Sequence, residues 1–314
     1  MYRKLPAISV VMSVYNGEKY IYDAISSIQS QSFEDFEFII IDDGSVDKSA
    51  DIIKSFNDPR IRLFHQTNQG LSVALNNGIA QARSEYIARM DADDISGESR
   101  LGIEYNFLQS NPLVGVVGTW IVIIDESGTE IGRKEEPVSV SEIARLMMTS
   151  NCINHGTAMF RKSIFEKAGG YSVNYPESVP VEDYALWLRM LNQCDVANIP
   201  EYLYFWRQHF ESISNLQKKK QQEQFFLVSQ NHVQNVIAGF EQHNIKNKEL
   251  AYSYFCLGIV FYHQGEMKKC RKYLLKALSI DPTIDRKAYR HLGLSFFNPE
   301  FRVGMRKLYD SLTC

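Results

Sequence analysis

Short apolar runs alternate with amphipathic segments through the first half of the chain. The runs are apolar on both faces, and the segments between them place apolar residues three and four positions apart, which is the period of a helix. Strands of this kind are typical of a mostly parallel sheet that helices cover on both sides. The predicted strands are residues 7–14, 36–41, 61–65 and 85–90, and the predicted helices are residues 18–31, 47–56 and 71–82.

The pattern is less regular between about residue 114 and residue 207, and it becomes purely helical from Gln217 onward. In the middle segment, the predicted strands are residues 114–124, 157–160 and 202–206, and the predicted helices are residues 140–148 and 182–191. We therefore predict an α/β domain at residues 1–215, a helical connector at residues 216–247 and an all-α helical-hairpin tail at residues 248–314.

The tail carries a spaced set of small and aromatic residues, which are Tyr254, Leu257, Gly258, Phe261, Gly265, Ala277 and Pro282. Over residues 250–283 this spacing resembles one tetratricopeptide repeat, in which Gly258 would permit close helix approach and Gly265 would turn the chain. One repeat cannot bury its own apolar faces, so we expect the tail to pack on the first domain, on the helix before it or on another chain. A protein partner and self-association of the tail are both open.

Composition and charge exclude several classes of function for this chain. The formal net charge of −3 gives no basic field of the kind that marks nucleic-acid binding, and the run Lys218–Lys220 is interpreted as the solvated face of a helix. The five cysteines have no zinc or redox spacing, which fits a reducing compartment. No apolar run approaches the roughly 20 residues of a membrane span. We expect a cytoplasmic protein without a nucleic-acid partner, and peripheral contact with the inner face of the cell membrane is open.

Two acidic clusters come directly after predicted strands, at the sheet edge where α/β folds bind their ligands. Asp42 and Asp43 follow the second strand, in a turn where Gly44 would adopt a positive φ and Ser45 would cap the next helix. One carboxylate suffices for a cap, so the other is available for a base imide N–H or for ribose hydroxyls. Residues 91–94, Asp-Ala-Asp-Asp, follow the fourth strand, and such paired carboxylates hold magnesium-like cations together with substrate phosphates. An acidic loop without a ligand is the alternative.

Two further polar pairs stand at predicted element ends. Glu182 and Asp183 open a helix, where the macrodipole favours acidic residues, but one of them could also act as general base toward an acceptor hydroxyl. Arg207 and His209 follow a strand, where they could neutralise a diphosphate leaving group or complete a metal shell.

Six segments stand in order along the chain: SVVMSVYNGEKYI, FIIIDDGSVDKS, NQGLSVALNNGI, EYIARMDADD, EDYALWLR and RQHFESIS. Over roughly residues 6–215 this ordered set resembles the family 2 glycosyltransferases with the GT-A fold, especially the bacterial enzymes that build capsule, O-antigen or lipooligosaccharide. The resemblance implies a Rossmann-like, mostly parallel sheet flanked by helices. It also implies inverting, metal-dependent transfer of a sugar from a nucleotide diphosphate to an acceptor hydroxyl on a saccharide or lipid-linked saccharide. UDP is the favoured nucleotide.

The resemblance also implies a role for each matched residue. Ser13 and Tyr15 would contact the nucleotide base, and Asp43 would pair with it. Asp91 and Asp93 would form the ribose and metal motif, with Mn²⁺ or Mg²⁺ on Asp93. We therefore assign nucleotide-sugar binding to Ser13, Tyr15, Asp43, Asp91 and Arg207, metal binding to Asp93 and His209, and catalysis to Asp183.

Two other functions compete with this one. A nucleotidyltransferase also uses aspartates and a metal, but it usually has a basic, Gly-rich phosphate loop after the first strand, and residues 15–18 are not cationic. A catalytically silent GT-A scaffold could bind proteins through its tail. Many relatives carry membrane helices after the catalytic domain, and this chain has a repeat-like tail instead, which favours single-sugar transfer over processive polymerisation. The sugar, the acceptor and the linkage are not specified by the sequence.

Overall fold

The computed structural model describes residues 5–296 of the chain. The chain separates into two compact units between Gln224 and Phe225. All strands of the described residues lie in the first unit, and the described part of the second unit is helical. The division falls inside one long helix, and the predicted limits of connector and tail stay predictions.

The first unit is built around one sheet. Its strands are β1 (Ile8–Val14), β2 (Phe36–Asp42), β3 (Ile61–His65), β4 (Tyr86–Met90), β5 (Ile95–Ser96), β6 (Val114–Ile124), β7 (Glu130–Lys134), β8 (Met159–Arg161) and β9 (Asp195–Arg207). They are ordered β3-β2-β1-β4-β8-β6-β9-β5, and β7 pairs with β6. Strands β1 to β4 are parallel, β8 is antiparallel to both neighbours, and β9 is parallel to β6.

Helices connect these strands and continue beyond them. They are α1 (Ile21–Gln29), α2 (Ser49–Ser55), α3 (Leu71–Ala80), α4 (Arg100–Ser110), α5 (Val140–Leu146), α6 (Lys162–Lys167), α7 (Glu182–Leu191), α8 (Ile213–Leu216), α9 (Lys218–Gln242), α10 (Lys248–His263), α11 (Met267–Ile280) and α12 (Arg286–Leu294), with a 3₁₀ helix at His155–Thr157. The α/β fold class is confirmed. Within residues 5–296, none of these helices has both the length and the apolar character that crossing a bilayer demands.

The register of the parallel strands aligns their carboxyl ends. Val14 pairs with Asp42 across β1 and β2, and Met12 pairs with Met90 across β1 and β4. β1 and β2 are buried along nearly their whole length, because helices cover both faces of the sheet. The loops that follow β1, β2 and β4 therefore meet at one edge, where the sequence placed its acidic clusters.

Five strands and helices were missed by the apolar pattern, namely β5, α4, β7, α6 and α8, and so was the 3₁₀ helix. Helix α4 buries an ion pair between Arg100 and Glu104 (3.4 Å) on its inner side, so its apolar periodicity is weak. Strand β7 is mostly exposed and shows no alternation of apolar and polar residues. Strand β9 begins at Asp195, well before the predicted start, and its pairing with β6 shifts register around Pro200.

Helices α10 and α11 form the predicted helical hairpin, and α12 contacts both of them. Gly265 turns the chain between α10 and α11 with φ +80°. At Gly258 a methyl group would lie 2.6 Å from Leu274 Cδ2, so glycine is what allows the two helices to approach. Membership of the tetratricopeptide repeats stays a prediction, and residues 297–314 of the predicted tail lie outside the described residues.

We expect Gly258→Ala to lower the free energy of unfolding of the hairpin. Overpacking against the fully buried Leu274 costs about 1–3 kcal/mol. This exceeds the gain of about 1 kcal/mol that alanine brings to a helix interior. Gly239→Ala in α9 is the matched control, since no described atom lies within 4 Å of a methyl group there, and it should stabilise. Denaturant unfolding followed by circular dichroism tests both, and equal effects would contradict the close approach.

Candidate active site

The loops after β1 and β2 are bonded to each other. The backbone N–H groups of Asn16 and Gly17 donate to Ser45 Oγ (3.0 Å) and Ser49 Oγ (2.8 Å). Ser45 was predicted to cap the next helix, which is wrong, because α2 begins only at Ser49 and the Ser45 hydroxyl accepts from Asn16 instead. These hydrogen bonds hold the start of the loop that carries Tyr15. Tyr15 is 52% exposed, so its ring is accessible to a planar ligand. Ser13, near the end of β1, is partly buried.

Asp43 is buried and holds the segment that leads into α3. Its Oδ1 accepts from Gln66 Nε2 (2.7 Å) and from the Gln69 N–H (2.9 Å), and its Oδ2 accepts from the Gly70 N–H (2.8 Å). The positive φ predicted for Gly44 is confirmed at +80°. The carboxylate thus has a structural role at the sheet edge, and its pairing with a nucleotide base stays a prediction.

Asp91 lies at the end of β4 and is ion-paired with the buried Arg89 on the same strand. Its backbone N–H donates to the Tyr204 hydroxyl (3.2 Å). Burial is the main cause that raises the pKa of Asp91, the charge of Asp93 adds to it, and Arg89 opposes it. Arg100 fixes this end of β4, because its guanidinium donates to the Arg89 carbonyl (2.7 Å).

Arg207 holds the turn that follows Asp91. Its backbone N–H donates to Asp94 Oδ1 (2.7 Å), and its Nε donates to the Asp93 carbonyl (2.8 Å). Its side chain is only 2% exposed, and it also donates to the Glu126 carbonyl (3.0 Å). Burial, with the charges of Asp93 and Asp91, raises the pKa of Asp94 well above its ordinary value. Arg207 thus orients the acidic turn, and a contact of its own with a diphosphate stays a prediction.

The two predicted metal ligands are in contact. His209 Nε2 lies 2.8 Å from Asp93 Oδ2. Two ligands at right angles on an octahedral ion, each about 2.1 Å from it, are about 3 Å apart, so this spacing fits one shared cation. Among the described residues, no group of three or more His, Cys, Asp or Glu side chains could hold a metal by itself. A cation here would therefore need further oxygen ligands from water or a substrate.

Asp183 lies in the first turn of α7. Its Oδ2 accepts from Asn151 Nδ2 (2.8 Å), and its Oδ1 accepts from the Tyr184 N–H (2.7 Å). Burial raises the pKa of Asp183 to about 6, against these hydrogen bonds, which lower it. A carboxylate with a pKa just below neutrality is ionised at neutral pH and accepts a proton more readily than an ordinary aspartate.

A buried polar network lies behind Asp183. Glu182 is 5% exposed, and its Oε1 lies 3.6 Å from His155 Nδ1. His155 Nε2 is 2.8 Å from the Tyr171 hydroxyl, and burial lowers the pKa of His155 well below its usual range. At Gly156 a side chain would collide with the Tyr204 ring, so this position needs glycine.

One cleft of about 280 Å³ brings the acidic turn after β4 and the start of α7 together. Its lining includes Asp91, Asp93 and Asp183 of the predicted residues. The other predicted residues lie outside the lining, although His209 contacts Asp93; they are Ser13, Tyr15, Asp43, Arg207 and His209.

The cleft is strongly acidic. Six carboxyl groups line it, and they are those of Asp91, Asp93, Asp94, Glu136, Glu182 and Asp183. The cationic side chains in the lining are Arg89, which is ion-paired with Asp91, and Lys134, which lies 2.5 Å from Glu136. Like charges at this density repel, so the cleft suits a cation together with a substrate that presents hydroxyl groups.

Several residues of the site were not assigned from the sequence, among them Arg89, Arg100 and Asn151. Arg89 had a visible signal, since an arginine within an otherwise apolar strand needs a buried partner. The other two come from distant parts of the chain, and no local pattern connects them with the aspartates.

Comparison with known proteins shows the family of this chain. Residues 9–169 match Glycosyl transferase family 2. The O-antigen biosynthesis glycosyltransferase WbnJ of Escherichia coli is 36% identical over 216 residues, which is 67% of this chain and 83% of that protein. The amylovoran biosynthesis glycosyltransferase AmsE of Erwinia amylovora is 31% identical over 62% of this chain and 74% of that protein.

Solved structures agree in fold. S. aureus TarS 1–349 in complex with UDP-GlcNAc superimposes with a TM-score of 0.61 at 17% identity, over 88% of this chain and 82% of that one. The mannosyltransferase PcManGT of Pyrobaculum calidifontis, in complex with GDP-Man and Mn²⁺, gives a TM-score of 0.55 at 15% identity, over 98% of this chain and 88% of that one. On the family match and the identity to WbnJ, the chain belongs to glycosyl transferase family 2.

Proposed function

We propose that this glycosyltransferase moves a sugar from a nucleoside diphosphate, with UDP favoured, to an acceptor hydroxyl in bacterial surface polysaccharide or lipooligosaccharide synthesis. The observation that carries the proposal is the cleft, where Asp183, with a pKa of about 6, shares one space with Asp91 and Asp93. The similarity to an O-antigen and an amylovoran glycosyltransferase supports the biological role. The UDP-GlcNAc bound to TarS supports the choice of nucleotide.

Asp183 acts as the general base in this proposal. It accepts the proton of the acceptor hydroxyl as that oxygen attacks the anomeric carbon, and the bond to the diphosphate breaks on the opposite face. Asn151 holds the carboxylate in place through its Nδ2. Direct attack needs no enzyme nucleophile, so the anomeric configuration inverts.

The donor is held along the sheet edge. Tyr15 packs on the base, Ser13 and Asp43 contact the nucleoside, and Asp91 contacts the ribose. Asp93 and His209 would hold Mn²⁺ or Mg²⁺, which when bound would neutralise the charge of the leaving diphosphate. Arg207 keeps the Asp93 carbonyl and the Asp94 carboxylate in position for this.

The tail has the opposite charge from the rest of the chain. Residues 248–314 carry 12 Lys and Arg against 6 Asp and Glu, whereas residues 1–247 carry 22 against 31. Lys268, Lys272 and Lys276 are four residues apart on one exposed face of α11. A basic face attracts anionic lipid by about 1 kcal/mol for each Lys or Arg near the surface. We therefore propose peripheral contact of the tail with an anionic membrane, where a lipid-linked acceptor would be found.

A donor screen tests the enzyme class. With Mn²⁺ and a panel of sugar nucleotides, we expect slow release of nucleoside diphosphate from one donor. Asp93→Ala should abolish both this release and the Mn²⁺-dependent part of nucleotide affinity, because it removes one of the two cation ligands. Asp51→Asn, an exposed carboxylate on α2, is the control and should behave as the unmodified chain. Absence of release and of nucleotide binding for every donor would favour the silent scaffold.

The role of Asp183 predicts a pH profile. The carboxylate is active when ionised, so kcat should fall as the pH drops through about 6. Asp183→Asn should keep donor binding and lower kcat by about 10²–10⁴-fold. Asn151→Ala should move the acid limb to higher pH, because the Asn151 hydrogen bond lowers the pKa of Asp183. Near-normal turnover in Asp183→Asn would refute the assignment.

Vesicle sedimentation tests the tail. The double variant Lys268→Glu with Lys272→Glu should lose binding to vesicles of phosphatidylglycerol and phosphatidylcholine, and added salt should weaken the binding of the unmodified chain. The control is Lys54→Glu with Lys167→Glu, which makes the same charge change at exposed positions of the first unit. Equal binding by both double variants would contradict a tail-specific contact, and a change in oligomeric state alone would point to self-association.

A further inference from the structure

Glu182 is a second carboxyl group in the cleft, and the general-base step does not use it. It stands next to Asp183 at the start of α7 and lines the same cleft. Its side chain is 95% buried, and its Oε2 has no hydrogen-bond partner among the described residues. A buried carboxyl oxygen without a partner is costly, so it is expected to meet a ligand atom.

The groups around Glu182 disfavour its ionised form. Asp183 on the same helix and Asp91 at the end of β4 are both negative. Arg89 favours the ionised form, but its positive charge is ion-paired with Asp91. His155 faces Glu182 at 3.6 Å, and burial keeps this imidazole neutral.

The Tyr171 hydroxyl lies 2.8 Å from His155 Nε2. Burial first, and then the charge of Asp183, raise the pKa of Glu182 to about 8, while that of Asp183 reaches about 6. Two adjacent carboxyl groups whose environments separate them in this way take opposite protonation states near neutral pH.

We propose that Glu182 is a neutral carboxylic acid in the working enzyme and that it donates a hydrogen bond from Oε2 to a hydroxyl oxygen of the sugar bound in the cleft. The inference rests on the proposed function, because it assigns a contact in the same site. Glu182 is then a hydrogen-bond donor and Asp183 a proton acceptor, although both are carboxyl residues. An ionised Glu182 could only accept, and it would add a further negative charge to an acidic cleft.

Isosteric amides distinguish the two roles. Glutamine keeps a neutral donor at this position, so Glu182→Gln should retain kcat/KM within about tenfold, whereas Glu182→Ala should lose tenfold or more beyond that. Asp183→Asn, the matched change one residue away, should lose nearly all transfer. Comparing the KM values for donor and acceptor in Glu182→Ala identifies the sugar that is contacted.

The pH profile of activity distinguishes the proposed role of Glu182 from a merely structural one, which would not change the profile. In the unmodified enzyme, activity should fall as the pH rises through about 8, since Glu182 then loses the proton that it donates. Glu182→Gln cannot ionise and should lack this alkaline limb while it keeps the acid limb of Asp183. An unchanged alkaline limb in Glu182→Gln, or a loss of activity as complete as in Asp183→Asn, would overturn the proposal.

Infrared difference spectroscopy separates this proposal from the proposed function. At neutral pH the carbonyl band of a protonated carboxylic acid should appear in the difference between the unmodified chain and Glu182→Gln. In the unmodified chain the band should disappear as the pH rises through about 8, and in Asp183→Asn it should disappear at a lower pH, because the charge of Asp183 helps to raise the pKa of Glu182. If no donor reacts, the enzyme proposal fails while this band still reports the proton. If transfer occurs and the band is absent, only the role of Glu182 fails.

Discussion

The parallel pairing of β1 with β2 and with β4 is the constraint on which the site depends. It brings the residues that follow three different strands to one edge of the sheet, although they are far apart in sequence. Helices on both faces bury these strands, whose side chains are apolar on both sides of the sheet. The chemistry therefore depends on a core that contains none of the reacting groups.

Burial of negative charge is the second feature of the site. Arg89 supplies a buried positive charge next to the acidic turn. Arg207, at the end of β9, donates a hydrogen bond to the Asp93 carbonyl in that turn. Both guanidinium groups are buried. Burial first, and then repulsion among the carboxylates, raise the pKa values of Asp91, Asp94 and Glu182. A bound cation or a bound proton relieves this repulsion.

The catalytic unit extends into helix α9. Gln221 and Gln224 in its first turns donate to the carbonyls of Pro180 (3.1 Å) and Pro176 (3.0 Å), in the loop that leads to Glu182 and Asp183. The start of this helix thus steadies the loop before the proposed base. A domain boundary placed at the end of β9 would separate Gln221 and Gln224 from this loop.

The sequence alone determined the alternation of strands and helices, the positions of the acidic clusters and the family. Runs such as residues 61–65 and 182–191 were predicted with the bounds that the structure has, because their burial pattern is local and periodic. Helix α4 was missed because its buried face carries charge. Only the tertiary structure decided the surroundings of Glu182, since His155 and Arg89 come from other segments and the pKa of a group depends on what lies around it in space.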